Sequence, residues 1–225
     1  KTLILSLPVL YLRFTLFNLR RTLMNKSFII KIIVFCLVTI KVSAIEKVIL
    51  FGDSLMAGYG LPKEQHLSVI LQKSLEFDGH NIEIINGSVS GSTSAGGLNI
   101  AEWTLSENNI DLMILCLGAN DMLRGINPKE TKNNLEEIIE IAKNKNIKVI
   151  IAGMIAPTSY GFSYKKSFDK IFSDLSKKYK LQLIPFLLEG VAQKPEFNLS
   201  DGMHPNDRGT IIIGNTLKKA ILKNL

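Results

Sequence analysis

Val48-Ile49-Leu50-Phe51-Gly52-Asp53-Ser54-Leu55 changes character within a few residues. Four consecutive apolar residues, two of them β-branched, predict a buried strand over 48–51, and Gly52 ends it. Asp53 and Ser54 are residue types that open helices. The stretch therefore reads as strand, tight turn, helix.

The same alternation runs on to the C-terminus. Leu67, Ile70, Leu71 and Leu75 stand at helical spacing and predict a helix over 66–77. A strand over 82–85 leads into a Gly/Ser-rich loop over 88–97, and 98–106 reads as helix. Then come a strand over 112–117, a helix over 128–143 with Pro128 in its first turn, and a strand over 149–154. A helix over 167–179, a strand over 181–185 and a closing helix over 206–223 complete the chain. Five strands alternating with five helices predict an α/β fold, an open parallel sheet covered on both faces as a three-layer α/β/α sandwich. The strands read as unbroken apolar runs, as fully buried parallel strands should. Such folds gather ligands beyond the carboxyl ends of their strands.

The chain has 225 residues, 46% apolar and 21% charged, which suits one globular domain and argues against disorder. Its net charge of +7 invites a nucleic-acid reading. Seven cations and no acid lie in residues 1–44, however, so residues 45–225 are neutral and that reading falls away. Met24-Asn25-Lys26 begins a cationic start, residues 28–40 are apolar apart from Lys31 and Thr39, and Val42-Ser43-Ala44 supplies small residues. Residues 24–44 are thus expected to be a secretory signal peptide cleaved after Ala44, giving a periplasmic or secreted protein. An uncleaved anchor is the alternative, disfavoured because Lys31 and Lys41 leave the run short of the roughly 20 apolar residues of a span. Bulky residues around Cys36 argue against lipidation there. Residues 1–23 are expected to be an upstream extension without structural role, and 45–225 a single domain. Of the two cysteines, Cys116 lies in an apolar run and reads as an inert core residue. Two cysteines exclude a disulfide scaffold.

The chemistry is sought after each strand. At the strand-to-helix turn, Ser54 would point its hydroxyl out of the sheet with its own N–H near a helix start. Asp and Ser are also ordinary caps, so this turn alone establishes nothing. Asn86-Gly87-Ser88-Val89-Ser90-Gly91-Ser92 can bring backbone N–H groups close to a ligand, or be a plain loop. In Gly118-Ala119-Asn120-Asp121 the carboxamide could donate to an oxyanion, or Asn and Asp could simply build a turn. In Asp201-Gly202-Met203-His204-Pro205, an Asp three residues before a His can accept from its Nδ1–H and leave Nε2 free to take a proton. Each piece is weak; the set is not.

Together these stretches resemble the SGNH (GDSL) hydrolases, whose four sequence blocks appear in this order across nearly all of residues 45–225. The fuller strings, Phe51-Gly52-Asp53-Ser54-Leu55-Met56-Ala57-Gly58-Tyr59-Gly60, Gly118-Ala119-Asn120-Asp121-Met122-Leu123-Arg124-Gly125 and Asp201-Gly202-Met203-His204-Pro205-Asn206, are similar to the periplasmic thioesterase I/lysophospholipase/arylesterase branch. The resemblance implies a flavodoxin-like SGNH fold with Ser54 as nucleophile, His204 as base and Asp201 orienting it. Ser54, Gly91 and Asn120 would form the oxyanion hole. Gly87, Gly96 and Gly97 compete with Gly91, and Met56 stands where the family often has a small residue.

The implied reaction is hydrolysis of acyl thioesters, lysophospholipids or small aryl esters through an acyl-enzyme, needing no metal or cofactor. Met122, Leu123 and Arg124 on one side and Pro157 on the other are the expected substrate walls. The expected partner is a small-molecule or lipid acyl ester met by a monomer, with transient membrane-lipid contact and no nucleic acid. A carbohydrate O-acetylesterase with the same tetrad is the alternative enzyme, and a non-catalytic binding module the alternative class. His66 and His80 are expected on the surface, and Trp103 in helix packing. The pattern Asn-x-Ser at Asn86 and Asn198 is read as chance.

Overall fold

The computed structural model describes residues 45–106 and 109–225. The expectations for 1–23 and 24–44 lie outside the described residues. One compact unit runs Ile45–Leu225. Five strands, β1 (Lys47–Gly52), β2 (Glu83–Asn86), β3 (Leu112–Cys116), β4 (Lys148–Ala152) and β5 (Gln182–Ile184), form one sheet in the order β2-β1-β3-β4-β5. Every pairing is parallel, with Val48 opposite both Ile84 and Leu112. Burial follows position: β1, β3 and β4 are almost wholly buried, whereas edge strands β2 and β5 are half-exposed. The expectation of fully buried strands therefore holds for the three central ones only.

Among the described residues the helices are α1 (Ser54–Ala57), α2 (Leu67–Phe77), α3 (Ser94–Thr104), α4 (Ala119–Leu123), α5 (Pro128–Asn144), α6 (Phe162–Tyr179) and α7 (Asp207–Leu222). Helices α2 and α7 pack together, while α3, α5 and α6 pack in series, giving the three-layer sandwich. The caps are local: Asn127 accepts from Lys129 N–H ahead of Pro128, and Asn206 accepts from Gly209 N–H.

Three differences from the sequence reading have physical causes. Helix α3 begins at Ser94, inside the expected loop, although Gly96 and Gly97 disfavour helix. A Cβ at Gly97 would lie 2.3 Å from Leu117 Cδ1, so this glycine lets α3 approach the sheet rather than loosening a loop. Trp103, expected to pack, is 81% exposed. His66 is half-buried rather than on the surface: its Nε2 sits 3.1 Å from Leu61 O, and its ring occupies the space that a Cβ on Gly58 would need.

The short helices α1 and α4 start just after β1 and β3, the two strands flanking the point where strand order reverses. A ligand crevice is expected at that switch point. Ser54 and Asn120 are carried there.

Candidate active site

Ser54 is the first residue of α1, set by β1 and by the buried cap Asp53. Fully buried Met56 anchors the helix beneath it, in space left free by Gly52, whose Cβ would lie 2.8 Å from Met56 Cγ. The Asp201–His204 loop arrives from the other end of the chain. Its Leu199 N–H donates to His204 O, its Gly202 N–H to Leu199 O, and Asn206 braces its base by donating to Glu196 O and Asn198 O. The sheet and this braced loop bring together residues 150 positions apart: His204 Nε2 lies 2.9 Å from Ser54 Oγ.

The other imidazole nitrogen, Nδ1, lies 2.7 Å from Asp201 Oδ2, while Asp201 Oδ1 accepts the Met203 and His204 N–H groups at 2.9 and 3.0 Å. Burial alone would raise the Asp201 carboxyl; these two amides and the imidazole outweigh it and hold the group down at about 2. Asp201 is thus an anion at neutral pH, and Nδ1 keeps its proton facing it. That tautomer presents a lone pair at Nε2 toward the serine hydroxyl, as a general base requires. Tyr59 leans on the imidazole, ring centroids 4.4 Å apart.

Asn120, in the first turn of α4, donates through Nδ2 to Asp53 Oδ2 at 3.3 Å, leaving its second amide hydrogen for a ligand. Of the four glycines in the second loop, Gly91 alone lines the cavity beside Ser54. Its φ of 79° lies in the left-handed region, and nothing stands where its side chain would be. Gly87 abuts Ile49 and Thr104, and Gly97 abuts Leu117.

The cavity has a volume of about 1030 Å³. Met122 and Leu123 form one wall and Ala156, Pro157 and Thr158 another. Arg124 is outside the lining; its Nη2 donates to Gly91 O at 3.0 Å. A third wall, including Phe186, Leu188, Ala192 and Gln193, was missed in the sequence. It follows β5 without regular helix or strand, so no periodicity marks it, although its position after a strand end was the available signal. Asn198 holds this wall by donating to Val191 O and Lys194 O, both at 2.8 Å. Its amide is therefore committed within the fold, in keeping with chance as the origin of that Asn-x-Ser pattern.

Asp53 is the most perturbed acid near the site. Burial pushes its carboxyl from 3.8 up to about 6, against hydrogen bonds from Leu55 and Asn120 and the nearby imidazole, which pull it down. Between these values the folded protein holds a proton that the unfolded chain has released, so the native state gains stability as pH falls through 6. From pH 8 to pH 5, wild type should gain about 1 kcal/mol relative to Asp53→Asn in denaturant unfolding. A gap that stays flat would contradict the raised carboxyl.

Comparisons with known proteins identify the family. The model of the GDSL-like Lipase/Acylhydrolase family matches residues 50–210. An arylesterase of Vibrio mimicus is 36% identical over 194 residues, covering 86% of this chain and 96% of that protein. The thioesterase 1/protease 1/lysophospholipase L1 of Escherichia coli (strain K12) is 30% identical over 185 residues, 82% of this chain and 88% of that protein. The crystal structure of TesA superposes with a TM-score of 0.76 at 32% identity, covering 80% of this chain and all of that one. With its switch-point serine, its braced Asp-x-x-His loop and a family match across most of its length, this chain belongs to the GDSL-like lipase/acylhydrolase family.

Proposed function

We propose that Ser54 is the nucleophile of a serine esterase/thioesterase acting on acyl esters with an apolar acyl chain. The relatives named arylesterase and thioesterase/lysophospholipase support ester-bond hydrolysis. One observation carries the site assignment: the unbroken relay from Asp201 through His204 to Ser54, at 2.7 and 2.9 Å.

In this reading His204 Nε2 takes the Ser54 proton as Oγ attacks the acyl carbonyl carbon. The resulting oxyanion is held by the N–H groups of Ser54 and Gly91 and by the Asn120 amide. As the tetrahedral species collapses, His204 returns the proton to the leaving alcohol or thiol, and Ser54 keeps the acyl group. Water then repeats the sequence, its proton passing to His204, and frees the carboxylic acid. The chain's own residues supply every proton transfer, so the reading calls for no cofactor.

The walls argue for the substrate class. Met122, Leu123, Met154, Pro157 and Leu188 face the cavity, and its volume of about 1030 Å³ is at the upper end of ordinary ligand pockets. Apolar walls of this size suit a medium or long acyl chain rather than a sugar acetate. The reading includes export by the 24–44 leader and action as a monomer, meeting lipid only transiently. Among the described residues no helix is long and apolar enough to cross a membrane.

The test uses protein recovered after export, whose N-terminus should read Ile45. Turnover of butyryl, octanoyl and palmitoyl thioesters and nitrophenyl esters should rise with chain length, and a fluorophosphonate probe should label the peptide containing Ser54. Turnover confined to acetate would move the substrate to O-acetylated sugars. Labelling at another residue would sink the assignment.

A further inference from the structure

Asp121 is fully buried, as are the residues it meets. Its Oδ2 accepts the Ser94 N–H at 2.7 Å, and its Oδ1 accepts the Ser94 hydroxyl at 2.5 Å and the Thr131 hydroxyl at 3.1 Å. Asn134 Nδ2 donates to Ser94 Oγ at 2.9 Å. The cluster thus ties α4 to the first residue of α3 and to α5. Nothing in the proposed chemistry uses it directly.

Its place in the chain gives it a purpose. Asp121 follows Asn120 directly, and Ser94 stands three residues beyond Gly91. The two loops lie far apart in sequence, yet each must deliver one donor to the same point in space. Arg124 ties them a second time from the solvent side by donating to Gly91 O. On the opposite flank, Val89 N–H donates to Gly52 O, fastening the Gly91 loop to the end of β1. Burying a carboxylate is costly unless its hydrogen bonds are well made, and an apolar side chain would fill this space as well. What the carboxylate adds is direction: three donors fix where it sits.

We propose that Asp121 is a positioning residue, locking the Gly91 loop and the Asn120 turn together so that both oxyanion donors are held before substrate arrives. This rests on the reading of Gly91 and Asn120 as those donors. Donors of this kind accelerate acyl transfer because they are already aimed when charge develops. A displacement of about 1 Å can cost on the order of a hundredfold. Releasing the clamp lowers kcat far more than it changes KM, because only the Met122–Leu123 wall stands on α4, while the walls around Pro157 and Leu188 lie on other segments.

The test is steady-state kinetics well below the melting temperature, with active sites counted by fluorophosphonate titration so that unfolded protein is excluded. Thr131→Val keeps the shape and removes one donor to Asp121; Thr131→Ser keeps the donor. Thr131→Val should lower kcat several-fold, about threefold to tenfold, with KM within twofold, and Thr131→Ser should stay near wild type. Asp121→Asn keeps an oxygen for the Ser94 N–H but puts an NH₂ where Oδ1 accepted the Ser94 and Thr131 hydroxyls, and should lower kcat by about a hundredfold. Should Asp121→Asn fail to fold, the Thr131 pair decides. Equal kcat in Thr131→Val and Thr131→Ser, or a loss that falls on KM, overturns the proposal. Asn120→Ala separates the two readings: a large loss there with an unchanged Thr131→Val overturns only the role of Asp121. An unchanged Asn120→Ala overturns the oxyanion assignment, and the clamp with it.

Discussion

Ser54→Ala lowers kcat on a nitrophenyl ester by about ten-thousandfold or more while the folded protein is retained. The two halves of this expectation have separate grounds. Without Oγ no acyl-enzyme forms, and what remains is the modest help that oxyanion donors and substrate binding give to direct attack by water. The fold should persist because the cap of α1 is the Asp53 carboxylate, and the helix is anchored by buried Leu55 and Met56. The serine hydroxyl meets only His204 in the native site. Kinetics together with a thermal melt of the purified variant check both halves. Residual turnover within tenfold of wild type would mean that another group is the nucleophile.

The second large effect is at Asp201. Asp201→Asn keeps size and shape, so the loop should close as before, yet kcat should fall by about three to four orders of magnitude. An asparagine can still accept the Met203 and His204 amides through one oxygen, but it then turns an NH₂ toward Nδ1. The imidazole answers by placing its lone pair on Nδ1 and its proton on Nε2, the nitrogen that must receive the proton of Ser54. In wild type the Asp201 carboxyl is held at about 2, so it does not titrate in the working range, and the loss in Asp201→Asn should be similar at pH 6.5 and pH 8.5. The sign for stability follows from the same shift: the stabilisation is present above 3.8 and disappears as pH falls through about 2. A variant that regains activity at high pH would show that orientation of His204 is not the role of Asp201.

Much of this was legible in the sequence because the strongest signals are local. Residues 48–51, 112–117 and 149–154 carry their burial in an unbroken apolar composition, and the central strands β1, β3 and β4 fall there. The Ser, Asn and Asp-x-x-His types after successive strands could be named because an open parallel sheet gathers its strand ends. What stayed hidden depends on distant partners. Gly96 and Gly97 look like a loop until Leu117 is seen pressing on α3. Asp121 reads as a turn former, since its donors lie 27 and 10 residues away. Trp103 looks like core by composition, but it stands on an exposed face of α3. The third cavity wall has no periodicity to read. Arg124 was expected to line the substrate groove, and its length lets it reach back to Gly91 instead.

The way Asn198 grips that third wall reaches beyond a single substrate. It holds the turn by the main-chain oxygens of Val191 and Lys194, which every amino acid possesses. That grip is therefore indifferent to which side chains the wall carries, although Leu188, Phe186 and Ala192 also pack on the core. Phe186, Leu188, Ala192 and Gln193 form a set of positions through which descendants of this protein can drift toward new acyl groups while inheriting an unaltered serine and histidine.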